Sequence, residues 1–172
     1  LGSRLEVKFI ERIEVGSTPV AALEFAGIPS DGSDLCILLS ARSSSSGVQP
    51  LNVTINNITS STYDYTFLYS NGSNTQGNSG NSTSWNNPVA VTPSTFSDGL
   101  FSNSRLYFPG YSASQAKGML LESVIENAST SSAYLTYSYG HNSGAGSAIS
   151  SIKLATGGNF VQYTTASLYI LS

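Results

Sequence analysis

The sequence predicts an all-β fold, a jelly-roll-like two-sheet β-sandwich of about ten strands, and three observations carry that prediction. Apolar and aromatic residues recur at every second position in short runs. Those runs are bounded by clusters of Gly, Pro, Asn and Ser. No stretch carries a convincing amphipathic helix. Connections of uneven length favour a jelly roll over a meander barrel, and no fixed-period repeat points to a propeller or solenoid. The 172 residues fit a single β-sandwich domain large enough to bury a core. Residues 1–15 are either an N-terminal arm used in assembly or an ordinary first strand.

Residues 4–15 alternate, with Leu5, Val7, Phe9, Ile13 and Val15 on one side and Arg4, Glu6, Lys8, Arg12 and Glu14 on the other. A helix would also align Leu5, Phe9 and Ile13, but β-branched and aromatic content favours a strand. Residues 20–26 form a short second strand, and the turn formers of residues 28–34 reverse the chain. Residues 35–42 are strongly apolar and suit a central strand, with Cys36 as a small core residue. Residues 51–58 and 62–69 alternate again, the latter with Tyr63, Tyr65, Phe67 and Tyr69 in an aromatic row. Residues 70–87 carry no charge and one large apolar residue, Trp85, so they read as a long exposed loop. Strand signals resume at 105–108, 118–126, 133–139, 148–154 and 163–171.

Composition narrows the function. Charged residues make up 10% of the chain, against roughly 25% in an average domain, while Ser and Thr supply 47 of 172 positions. A net charge of -3 with seven Lys and Arg argues against nucleic-acid binding, which draws on phosphate neutralisation. No window is long and apolar enough for a membrane helix. The N-terminus lacks the pattern of a signal peptide, although a chain starting at Leu1 leaves a processed leader open. The lone Cys36 makes no internal disulfide and leaves the compartment open.

The residues of catalysis are sparse. His141, the single histidine, falls in a Gly-rich loop with no second imidazole or thiol nearby to complete a zinc site. None of the 33 serines stands in a G-x-S-x-G elbow. Asp31 and Asp34 share a turn without EF-hand spacing. No catalytic residue, cofactor or metal site is therefore expected; a hydrolase using His141 or Glu122 ranks last. Tyrosine-rich segments with Asn and Ser have two readings: ordinary strand content, or a surface whose rings stack while amides hydrogen-bond. The exposed candidates are Trp85, Tyr107 and Tyr111, and the charged N-terminal strand adds Arg4, Lys8 and Arg12 as contact residues.

The succession ALEFAGIPSDGSDLCILLSARS, then LNVTINN with YDYTFLYSNGS, then AISSIKLATGGNFVQYTTASLYIL resembles a group of jelly-roll virion proteins of tailed bacteriophages. The matching positions are Phe25, Ile28, Pro29, Asp34, Leu35, Ala41, Arg42 and Ser43, then Asn56, Tyr65, Asn71 and Gly72, and finally Gly158, Asn159, Phe160, Ser167, Leu168 and Tyr169. The likeness covers most of residues 20–171, thinning in the polar loop and around 88–104. It departs at Gly32-Ser33 and Ile170-Leu171, where that group commonly carries Tyr-Thr and Gly-Ile. The resemblance implies a decoration (cement) protein, often a homotrimer, bound to the major capsid protein on the outer surface of the head. Its alternative is a tail fibre or appendage domain that recognises host-surface glycans. A hydroxyl-rich, weakly charged domain suits the cement role, because salt screens charges and leaves apolar contacts intact.

Overall fold

A computed structural model describes residues 6–127 and 133–172. Twelve strands are present: β1 (Val7–Glu14), β2 (Val20–Ala26), β3 (Asp34–Ala41), β4 (Gln49–Ile55), β5 (Tyr63–Ser70), β6 (Thr75–Ser82), β7 (Trp85–Val91), β8 (Ser102–Phe108), β9 (Lys117–Ile125), β10 (Tyr134–Asn142), β11 (Ser151–Phe160) and β12 (Thr165–Leu171). They form an eight-stranded sheet in the order β1-β12-β3-β8-β9-β10-β5-β6 and a four-stranded sheet in the order β2-β11-β4-β7. The fold is thus an all-β, two-sheet sandwich, and each strand pair within it is antiparallel.

The core lies between the sheets. Leu35, Ile37 and Leu39 of β3 and Leu106 and Phe108 of β8 face Leu23, Phe25, Leu51, Val53, Ile152 and Leu154 of the smaller sheet, all essentially inaccessible. Alternation in those strands therefore does what the period-2 pattern implies. At one end Trp85 packs edge-on against Tyr63 at a centroid distance of 5.1 Å. The Tyr63 hydroxyl accepts from the Ile55 amide at 3.0 Å and donates to the Ile58 carbonyl at 3.0 Å. It pins the β4–β5 corner, where Asn56 and Asn57 adopt positive φ, a conformation Asn tolerates better than most residues.

Four expectations are corrected here. Residues 70–87 are not a loop: β6 pairs with β5 over its whole length, and β7 enters the second sheet. TQGNSGNS has no apolar residue to give a period, so the strand shows itself only through its backbone pairing with β5. Cys36 is not a core residue but half-buried on the outer side of β3, in register with Tyr107 and Tyr169. The apolar series of β1 does not share one face: the register shifts between Phe9 and Glu11, so Val7 and Phe9 are 58% and 57% exposed while Ile13 packs on the core. His141 stands in β10 rather than in a loop.

Two buried cations brace connections. The Arg42 guanidinium donates to the carbonyls of Ser94, Phe96, Ser97 and Leu100 at 2.8–3.0 Å, gathering the β7–β8 connection around one side chain. Lys117 donates to the carbonyls of Ala113 and Gln115, and burial lowers its pKa.

Candidate binding surface

The smaller sheet covers only the inner face of the larger one, which leaves a broad outer face whose composition follows from strand register. Along β10, Leu135, Tyr137 and Tyr139 point outward. Across the ladder they meet Val124, Glu122 and Leu120 of β9 on one side and Ser70, Leu68 and Thr66 of β5 on the other. Beyond β9 come Asn103, Arg105 and Tyr107 of β8, then Ser40, Leu38 and Cys36 of β3. Phe9 of β1 closes the face, edge-on to Tyr169 at 5.7 Å. Of the eleven large hydrophobic residues exposed among the described residues, nine lie on this face: Val7, Phe9, Leu38, Leu68, Leu120, Val124, Leu135, Tyr137 and Tyr139. A groove of about 550 Å³ crosses it, lined by Arg12, Leu38, Arg105, Glu122, Val124 and Tyr137 among others.

Four charges on this face pair off. Arg105 pairs with Glu122 at 2.6 Å and Arg12 with Glu14 at 2.9 Å. Such exposed pairs add little stability; with the carboxylates of Asp34 and Asp64 on the same side, the face keeps a small negative charge.

The structure separates the residues singled out from sequence. Arg4 lies outside the described residues. Lys8 is exposed and pairs with Asp31 at 2.8 Å, which raises the lysine pKa and lowers that of the carboxyl. Arg12 lines the groove. Tyr107 is half-buried and donates its hydroxyl to Asp34 Oδ2 at 2.6 Å; that hydrogen bond pushes its pKa up to about 12. Trp85 and Tyr111 are not exposed: both are at 0% accessibility. Tyr111 donates to the Pro29 carbonyl at 2.7 Å and accepts from the Gly32 amide at 3.2 Å, so it clamps the β2–β3 turn. The five described residues do not converge on one site.

Other polar candidates have structural partners. Asp34 accepts from Tyr107 and, at 2.8 Å, from the Gly110 amide, while Asp31 holds Lys8. His141 Nδ1 lies 3.9 Å from an Asp64 carboxylate oxygen, and Glu122 is held by Arg105. Among the described residues no three His, Cys, Asp or Glu side chains gather as a metal site would require. No helix among them is long and apolar enough to cross a membrane.

The residues that make the outer face, Leu38, Leu68, Leu120, Val124, Leu135, Tyr137 and Tyr139, were missed as surface from sequence. Their signal was present in strands such as DLCILLSA and KGMLLESVI, which are apolar on both sides. Such runs look like strands buried on both faces, and only the extent of the second sheet decides otherwise. Comparison with known proteins gives no relative to set beside this geometry: no family model, curated protein or solved structure matches the chain.

Proposed function

We propose that the chain is a non-enzymatic structural protein of a tailed-bacteriophage particle, a capsid decoration protein that seats on the outer surface of the head and stabilises the shell. Its partners are the major capsid protein and further copies of itself, in a homotrimer. One observation carries this reading: among the described residues, nine of the eleven exposed large hydrophobic side chains share one weakly charged sheet face. Isolated exposed apolar residues are ordinary, but a contiguous set marks a protein-binding surface. The internal neutralisation of Arg12, Glu14, Arg105 and Glu122 favours a neutral protein partner, whose contact resists changes in salt.

A jelly-roll connectivity belongs to the same proposal. It is supported by a chain that moves repeatedly between the sheets, with β1 and β12 neighbours in one and β2 and β11 neighbours in the other. Of the positions that carry the resemblance to phage virion proteins, Ile28, Pro29 and Arg42 fall between strands and Asp34 at a strand start, while Tyr65, Ser167, Leu168 and Tyr169 lie within strands.

The decisive experiment counts copies of the chain in a purified particle by quantitative mass spectrometry and determines the isolated protein's oligomeric state by light scattering. Hundreds of copies and a trimer are expected. A few or a few dozen copies would instead make it a tail fibre or appendage domain, and absence from any particle would overturn the virion reading.

A further inference from the structure

The inner side of β5 carries a second surface, away from the outer face. Tyr63, at the start of the strand, is sealed under Trp85 of β7. Tyr65, Phe67 and Tyr69 continue the same side but are only half-buried. Tyr65 and Phe67 are nearly parallel, 12° apart with centroids separated by 6.2 Å, and Tyr69 follows at a further 6.2 Å and 30°.

The neighbouring strand β6 is shaped around these rings. Gly80 stands opposite Tyr65, and a Cβ there would come within 2.7 Å of the phenol oxygen and 2.9 Å of Cζ. The ring therefore leans across onto the β6 backbone, which only glycine permits. Tyr69 also leans toward β6, donating its hydroxyl to Gln76 Oε1 at 2.6 Å. Asn78 stands opposite Phe67, and both Gln76 and Asn78 are exposed. β6 carries no charged residue. The one carboxylate of β5, Asp64, alternates to the other side, where it accepts from Asn81 at 2.9 Å.

We propose that Tyr65, Phe67 and Tyr69 with the amides of Gln76 and Asn78 form a binding platform for an uncharged oligosaccharide. A sugar ring offers an apolar C–H face and a rim of hydroxyls that both donate and accept. Aromatic rings accommodate the first, and amide side chains, which carry both donors and acceptors, accommodate the second. The absence of charge on this side of β5 and β6, among the described residues, disfavours an anionic ligand such as nucleic acid or an acidic glycan. Evenly spaced rings along one strand allow successive sugar units to meet successive rings. The platform is separate from the outer face, so it stands or falls independently of the assembly role.

The test is a panel of neutral hexose and N-acetylhexosamine oligosaccharides, with sialylated chains alongside, probed with the intact protein. Binding to one or more neutral chains is expected. Phe67→Ala should lower that affinity about three- to tenfold, and the exposed Asn78→Ala should lower it with the melting midpoint unchanged. Tyr137→Lys on the outer face should leave it intact. A blank panel with a positive lectin control would overturn the proposal, as would binding confined to acidic chains. Undiminished binding by a folded variant lacking all three rings would also overturn it, as would a change in oligomeric state as its only effect.

Discussion

Gly140 of β10 lies directly against the indole of Trp85 of β7: a Cβ at position 140 would stand 2.5 Å from Nε1 and 2.7 Å from Cγ. The sheets meet closely here because one residue has no side chain and the other has the largest. Gly140→Ala should therefore destabilise the fold by about 1–3 kcal/mol, the usual cost of overpacking a core. Gly118→Ala is the control, since its Cβ would meet nothing closer than 3.8 Å. Denaturant titration followed by emission of Trp85, the single tryptophan, measures both.

Arg42 donates to four backbone carbonyls, so its removal leaves several acceptors short of partners at once. Arg42→Met should cost about 3 kcal/mol or more, because hydrogen bonds from a charged donor exceed neutral ones. Arg42→Lys should recover only part of this, since an ammonium lacks the planar fork that spans the four oxygens. Asp98→Asn should have little effect, because Asp98 is fully exposed and 3.6 Å away. Thermal melts of the three variants give the order.

Tyr107 should titrate above the ordinary phenol range. Its hydrogen bond to Asp34 pushes its pKa up to about 12 from an ordinary 10.0. A raised folded-state value means that the protonated phenol is favoured by folding. The stabilisation is complete below pH 10.0 and is lost as pH rises through about 12. Ultraviolet titration of the phenolates should show this late step in the wild type, and Asp34→Asn should move it down toward the ordinary value.

Outer-face variants should separate assembly from folding. Tyr137 and Leu135 are 47% and 44% exposed, so Tyr137→Lys and Leu135→Lys should change stability by only about 0.5 kcal/mol. Occupancy on the particle, or self-association of the free protein, should fall about tenfold or more if these side chains are central to the contact. Pull-down on purified heads and light scattering read the two effects, and full occupancy by the double variant would remove the outer face from the assembly model.

Much of this fold was legible because strands with one apolar face announce themselves. β4 and β10 appear near their expected places, and Tyr63 lies among core residues as alternation allows. Low charge and a single histidine likewise bound the chemistry. β6 was illegible because backbone pairing leaves no side-chain pattern, and Gly77 and Gly80 make room for Leu68 and Tyr65 only once β5 is alongside.

The candidate surfaces depended still more on tertiary structure. Trp85 stands in a polar stretch that suggests exposure, yet β7 turns it under Tyr63 and against Gly140. Tyr111, equally suggestive, fills a turn formed by residues some eighty positions earlier in the chain. Leu38 and Leu39 are adjacent in an apolar run, yet one is 48% exposed and the other 2%. The sequence by itself determined that these residues form strands, since alternation and turn chemistry are local properties. Only the tertiary structure decided which side of each strand is covered, because four strands cannot hide both faces of eight.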